Sequence, residues 1–386
     1  MLIGLNASQF RAGRIGGVET YFRNLVNYLQ QIDTEDRFCI LCDNLTKKQF
    51  NDLNRNFETK ICAFHKAPIR KLSREIVLKT LGLDILRVDS SIKRFDLIHH
   101  PFSSVKKEWK HIPSVLTFWD MQQEFYPEYF HPEELKFRRD TYKSSTQYAI
   151  RVIVGSKFTR DSLIEKYNVP SNKIEVIYPG YGPEYRVNQD KDLLTTILNK
   201  YKLDRPFIFY PAATWPHKNH KKLLQALRIM INRYGFDGEL VLTGAAMHGH
   251  KEVLEVIEKL DLTKFVRMLG FQQYEDIPCL YNLARLMVFP SLFEGFGIPL
   301  VEAMACGCPV LCSNAASIPE VVGDAGLLFD PNSVDEIAEK TWCLWNNDAQ
   351  RKEMINLGLS RAKLFDWRKT AQMTLEVYKK AIGICR

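Results

Sequence analysis

The stretch Leu286-Met-Val-Phe289-Pro290-Ser-Leu-Phe-Glu294-Gly295-Phe296-Gly297-Ile298-Pro299-Leu-Val-Glu302-Ala-Met-Ala-Cys306-Gly307-Cys308-Pro309-Val310 decides how the rest of the chain is read. Four apolar residues run into a Pro-Ser turn. A glycine-bracketed loop follows, and Pro299 stands where a helix tolerates proline, in its first turn. Gly307 is the expected stop of that helix, and Pro309-Val310 leads into a second buried strand. One strand, phosphate-sized loop, helix and strand are thus written out in full. Glu294 lies in the loop and Glu302 about one turn inside the helix. The helix start offers N–H groups at Gly295, Phe296, Gly297 and Ile298, where an anion is favoured and glycine lets a ligand approach the backbone. Two acids beside such a start fit a ligand carrying both hydroxyls and phosphate, as a sugar joined to a nucleoside diphosphate does. As an isolated pair they also fit solvated acids stabilised by the helix dipole.

At 386 residues the chain exceeds a single core and suits two domains of about 180 residues. Its 46% hydrophobic and 25% charged content are those of an ordinary soluble globule. No apolar run approaches the roughly 20 residues that span a bilayer, and the start Met1-Leu-Ile-Gly-Leu-Asn6 lacks a signal peptide's basic region, so a cytoplasmic location is expected. The nine cysteines fall mostly within apolar patterns and read as reduced thiols. Cys39 and Cys42 have redox spacing but sit inside a strand-like run, and Cys306, Cys308 and Cys312 have no second pair at zinc-site spacing.

The net charge of +8 suits an anionic nucleotide-sugar, an anionic membrane surface or a nucleic acid. Part of the excess is local, since residues 66–94 hold eight Lys or Arg against three acids. Within them Ile69 to Ile92 has an amphipathic pattern. That pattern fits peripheral association with an anionic membrane at its inner face, or a surface helix with a solvated basic side. Nucleic acid is not the expected partner, because charge alone leaves the glycine loops unexplained.

The run from Phe293 to Val310 resembles the E-x7-E signature of family-4 retaining glycosyltransferases, the group with the GT-B architecture, in which two α/β Rossmann-like domains face each other across a cleft. The resemblance extends over nearly the whole chain. It implies that Glu294 contacts the donor sugar and Glu302 the ribose. A glycosidase pair fits less well, since retaining hydrolysis needs carboxyls about 5–5.5 Å apart flanking one bond.

Taken from its start, the chain opens with a strand at Leu2 to Leu5, then a loop to Gly16-Gly17 and a helix with apolar positions 18, 21, 22, 25, 26 and 29. A Gly-Gly turn at a helix start is a phosphate cradle by its physics, although its spacing is not that of the dinucleotide fingerprint. It resembles the family's loop facing the donor phosphate. Further strands are expected at 37–42, 60–64, 95–99, 113–118 and 150–154, a helix capped by Ser156 running to Asn168, and a strand at 173–178. The polar stretch from Tyr181 to Lys202 is the expected boundary, dividing an acceptor domain (1–185) from a donor domain (186–366), with a helix from Trp367 crossing back onto the first.

Trp119-Asp120 leaves a strand at its carboxyl end, where open α/β sheets bind ligands. It resembles a family segment with His before Asp; Trp119 stands at the His position, so one hydrogen bond to the sugar is missing or replaced by stacking. Asp120 is a catalytic candidate that also fits the cap of the next turn. In the second half, Phe207 to Tyr210 reads as a strand and Trp215-Pro-His217-Lys218-Asn219-His220 as the turn into a helix. Lys218 is placed to neutralise a diphosphate, and the string resembles the family's Lys-Asn turn, where Lys does so. Asn219 either shares that contact or holds the loop. Many members carry an Arg where Ala212 or Ala213 stands here, which leaves its charge to His217 or His220. Gly244 ends the next strand, Phe271 follows another whose end the resemblance assigns to the base, and His248-Gly-His250 reads as a solvated loop.

The expected activity is therefore transfer of a hexose, with mannose from GDP-mannose first in line, to a glycan or lipid-linked acceptor of an envelope polysaccharide. No divalent metal or other cofactor is required by this set of residues. Two alternatives stay open: a non-catalytic nucleotide-sugar-binding partner subunit and a GT-B sugar-nucleotide epimerase.

Overall fold

The computed structural model describes residues 1–10, 16–32, 35–61, 95–105, 109, 111–272 and 274–383. Short runs of apolar residues, buried on both faces, alternate with amphipathic helices, and this pattern produces parallel sheets covered on both sides. The first unit contains β1 (Leu2–Asn6), α1 (Gly17–Gln31), β2 (Arg37–Cys42), α2 (Asn44–Lys47), β3 (Phe57–Ile61), β4 (Leu97–His100), β5 (Ser114–Phe118), α3 (Gln122–Phe125), α4 (Pro132–Tyr148), β6 (Arg151–Val154), α5 (Lys157–Tyr167) and β7 (Ile174–Val176). Its parallel strands lie in the order β3-β2-β1-β4-β5-β6-β7.

The second unit contains α6 (Lys191–Tyr201), β8 (Phe207–Pro211), α7 (His220–Tyr234), β9 (Glu239–Thr243), α8 (His250–Lys259), β10 (Val266–Gly270), α9 (Ile277–Leu283), β11 (Leu286–Phe289), α10 (Ile298–Ala305), β12 (Val310–Ser313), α11 (Ile318–Val322), β13 (Gly326–Phe329), α12 (Val334–Asn346) and α13 (Asp348–Ala362). Its strands are again parallel, in the order β10-β9-β8-β11-β12-β13. This is the GT-B arrangement.

The last helix, α14 (Trp367–Ala381), returns to the first unit, where Trp367, Ala371, Leu375 and Tyr378 join the core formed by Ile3, Leu5, Tyr21 and Phe22. A buried polar chain fastens it there. Tyr378 Oη lies 2.7 Å from His99 Nδ1, and His99 Nε2 lies 2.7 Å from Thr117 Oγ1, which is 3.3 Å from Tyr21 Oη. The chain passes between the units twice, after β7 and before α14, and the two passages touch. A β-carbon on Gly180 would lie 2.3 Å from the main-chain nitrogen of Trp367, and Thr370 Oγ1 donates to the Tyr178 carbonyl at 2.6 Å.

Two expectations change, and a third falls outside the described residues. The strand expected at 60–64 lies at Phe57–Ile61, because the ring of Phe57 stacks on Phe38 of β2 at 4.5 Å and so fixes the register, while residues 62–64 lie outside the described residues. The polar boundary stretch contains α6, started by Asp190, whose carboxylate accepts from the N–H groups of Asp192 and Leu193. The basic segment Ile69 to Ile92 lies outside the described residues. Among those described, no helix is long and apolar enough to cross a membrane.

Candidate active site

Strand order places the site. In the second sheet β8 and β11 are neighbours, and the chain leaves them in opposite directions, so the crevice at their carboxyl ends is a switch point where such sheets bind ligands. The loop after β8 carries Lys218 and the loop after β11 carries Glu294. Pro216–Lys218 forms one tight turn, and Asn219 takes a left-handed conformation with φ +59°. The Asn219 amide nitrogen donates to the carbonyls of Pro290 (3.1 Å) and Pro331 (2.9 Å), and Tyr210 Oη donates to the Lys218 carbonyl at 2.7 Å. Through this amide nitrogen Asn219 ties two loops together, the loop-holding duty expected as one of its two readings. Lys218 Nζ meets Glu294 Oε1 at 2.5 Å, with both side chains largely buried.

Glu294 is held by its backbone. Ser317 Oγ donates to the carbonyls of Glu294 (2.9 Å) and Phe296 (3.1 Å), and from the first unit Ser156 Oγ donates to the Gly295 carbonyl at 2.7 Å. Asp120 faces the same loop. Its carboxylate accepts from the Gln122 N–H at 3.1 Å, the turn-capping contact. Burial pushes its pKa up, Arg138 and Lys218 pull it down, and Glu294 adds to the rise. Lys218, Glu294 and Asp120 thus share one electrostatic neighbourhood at the junction of the units.

Glu302 lies deeper, inside α10. Burial raises its pKa to about 7, opposed by hydrogen bonds from Tyr185 and Tyr281; Tyr281 Oη is 3.3 Å from Glu302 Oε2. Across the cleft the start of α1 approaches the start of α10, where a β-carbon on Gly17 would touch Ile298 Cδ1 at 3.5 Å. Gly16, with φ +58°, provides the turn that starts α1. Gly297, at φ +99°, does the same for α10. Two helix starts therefore converge on one space, an arrangement that attracts an anion.

Beside it, at the ends of β8, β9 and β10, is a cavity of about 500 Å³ lined by Ala212, His220, Gly244, His250, Gly270 and Phe271. Gly244 has φ +126°, and Phe271 stands exposed at the rim. Neither imidazole near Lys218 replaces the missing Arg. Burial and the Lys218 charge push His217 down to about 2, and burial pushes His220 down to about 4, so both are neutral at physiological pH. Trp119 is half-buried and engaged within the first unit: its indole N–H donates to the Pro101 carbonyl at 2.8 Å, and its ring meets Tyr21 edge-on at 4.6 Å. The His248–His250 stretch is not merely solvated, since His248 packs against Trp215 at 5.1 Å and His250 lines the cavity. Among the described residues, no three His, Cys, Asp or Glu side chains cluster as a metal ion would need.

Sequence reading brought Lys218, Glu294, Glu302, Asp120 and the glycines forward, and missed the residues that hold them. Tyr185 and Tyr281 on Glu302, Ser317 on the Glu294 loop, and Ser156 from the other unit act through contacts up to 139 residues apart in sequence. Ser156 was legible only as a helix cap.

The sequence pattern described as "Glycosyl transferases group 1" matches residues 196–361, and that described as "Glycosyltransferase Family 4" matches residues 15–185. The chain is 33% identical over 267 residues to O-antigen chain mannosyltransferase B of Escherichia coli, covering 69% of this chain and 70% of that protein. It is 30% identical over 230 residues to the serotype-specific mannosyltransferase WbdA of Escherichia coli, covering 59% of this chain and 28% of the much longer relative. In fold it is similar to Anabaena Alr3699/HepE, solved in complex with UDP and glucose, with a TM-score of 0.75, 21% identity, and coverage of 98% of this chain and 100% of that one.

Proposed function

Because this chain belongs to the family-4 glycosyltransferases, and so is an enzyme that transfers sugars, we propose that it moves mannose from GDP-mannose to a glycan or lipid-linked acceptor of an envelope polysaccharide, with retention and without a metal ion. The observation that carries the reading is the Lys218–Glu294 pair at the switch point, with Asp120 facing it from the other unit. Lys218 and the two converging helix starts would stabilise charge on the departing diphosphate. Glu294 serves the donor sugar and Glu302 the ribose, and Glu294 gives electrostatic support without acting as a base. Gly244 and Phe271 would border the nucleoside in the cavity at the strand ends. The mannosyltransferase names of the relatives support the sugar, and the acceptor would lie against the first unit.

Calorimetric titration of the purified chain with GDP, UDP and ADP tests this, repeated with Glu302→Ala and Lys218→Ala. Selective binding of GDP, lost in both variants, supports the reading. Preference for UDP moves the donor to another sugar nucleotide, and no binding at all turns the chain into a partner subunit.

A further inference from the structure

We infer that the first unit supplies the positioning residues for Glu294: the hydroxyls of Ser156 and Thr159, at the start of α5, seat the Glu294 loop when the two units meet, and Glu320 fastens the same helix end. The inference rests on the assignment of Glu294 to the donor sugar. By strand order the loop from Leu292 to Gly297 belongs to the second unit, yet two of its carbonyls, those of Leu292 and Gly295, are held by the first. The Gly295 carbonyl accepts from Ser156 Oγ at 2.7 Å and from Thr159 Oγ1 at 3.3 Å. A β-carbon on Gly295 would lie 2.2 Å from the Trp119 carbonyl oxygen and 3.0 Å from Asp120 Cβ, so the loop is flush against the strand end that carries Asp120.

The flanking residues follow the same design. The Phe293 ring packs on Phe125 (5.2 Å) and Phe158 (5.7 Å), and Tyr126 Oη donates to the Leu292 carbonyl at 3.3 Å. From the other side, the Glu320 carboxylate of the second unit accepts from the N–H groups of Lys157 (2.7 Å) and Phe158 (3.2 Å) and from Tyr178 Oη (2.8 Å). The start of α5 is thus filled by one carboxylate and flanked by one carbonyl, both from the opposite unit, and a carboxylate is the group such a start favours.

Glu294 consequently has neighbours of two origins. Lys218 comes from its own unit and stays with it whatever the units do. Asp120 and the Gly295 anchors come from the other. A donor held by the second unit alone therefore meets a loop fixed at Glu294 and Phe296 by Ser317 but not at Gly295, and closure completes the geometry in which the acceptor is aligned. Neutral hydroxyl anchors suit repeated closure, because on opening they exchange their partners for water at small net cost.

The test uses the double variant Ser156→Gly, Thr159→Val. Ser156 Oγ also caps α5 by accepting from the Thr159 N–H at 3.1 Å, and glycine is tolerated at a helix cap, so the helix is retained. Three readouts are taken: GDP affinity by calorimetry, kcat and KM for GDP release from GDP-mannose, and the radius of gyration by small-angle scattering with and without GDP. The expected result is GDP affinity and KM within about twofold of the parent, kcat lower by about tenfold or more, and a larger radius. Thr159→Ser, which keeps the hydroxyl, is expected to keep kcat. Unchanged kcat and radius overturn the inference, as does a parallel loss of GDP affinity and kcat at unchanged radius. Should Glu294→Gln turn over like the parent, the donor-sugar assignment falls instead, while scattering still decides whether the hydroxyls hold the units together.

Discussion

Lys218 carries a charge that its flanking imidazoles do not share. Lys218→Ala is expected to weaken nucleoside diphosphate binding about 10- to 100-fold, the size of a lost charged hydrogen bond. Lowering the pH from about 8 to about 6 should restore little of it, because burial, the main cause of their lowered pKa values, keeps His217 and His220 neutral. Calorimetry at the two pH values reads both effects. Glu302 behaves in the opposite sense. Its folded pKa is raised from 4.5 to about 7, so the folded protein holds that proton more tightly than the unfolded chain. The resulting stability is fully present below about pH 4.5 and is lost as pH rises through about 7, a change of about 3 kcal/mol at most. Glu302→Gln should therefore gain on the parent in melting temperature between about pH 5 and about pH 8, in thermal scans of both proteins.

At the scale of elements, β9 shows how close the backbones come. A β-carbon on Gly244 would sit 2.5 Å from the main chain of Ala212 and Ala213, in a conformation, φ +126°, that side chains avoid. Gly244→Ala is expected to cost about 1–3 kcal/mol, a fall of about 3–10 °C in melting temperature by calorimetry. Elements of this kind were legible where the sequence states their ends. In Arg37–Cys42 the residues from Phe38 on are an uninterrupted apolar run, and Ser156 and Asn168 bracket α5 as cap and left-handed stop. The helix α6 was hidden because Ile197 is its one fully buried residue and its start depends on the Asp190 carboxylate. The register of β3 was hidden for a different reason, since Phe57 has to meet Phe38 before either position means anything. In the site, positions 218, 294 and 302 stood out by the loops and helix starts they occupy, and the family resemblance implied their roles. The neutrality of His217 and His220, the engagement of Trp119 and the duty of Asn219 are properties of neighbours brought together by folding, and no spacing encodes them.

The whole molecule depends on α14 returning to the first unit. Burial holds His99 neutral, with its pKa pushed down to about 3, and Tyr378 Oη occupies its Nδ1. Tyr378→Phe leaves that nitrogen buried without a partner, an expected loss of about 1–3 kcal/mol measurable by urea unfolding of the intact chain. The same return gives the molecule its paired passages, Gly180 lying against Trp367. A single connecting strand would work like a ball joint and let one half swivel freely on the other. Two strands laid side by side work like the pins of a door: swinging is permitted, while twisting would drive the backbone at Gly180 into that of Trp367. On the closure inferred above, paired passages would guide the halves along one arc, and the acid, the cation and the carboxylate facing them would come back to the same alignment at each closing without having to search for it.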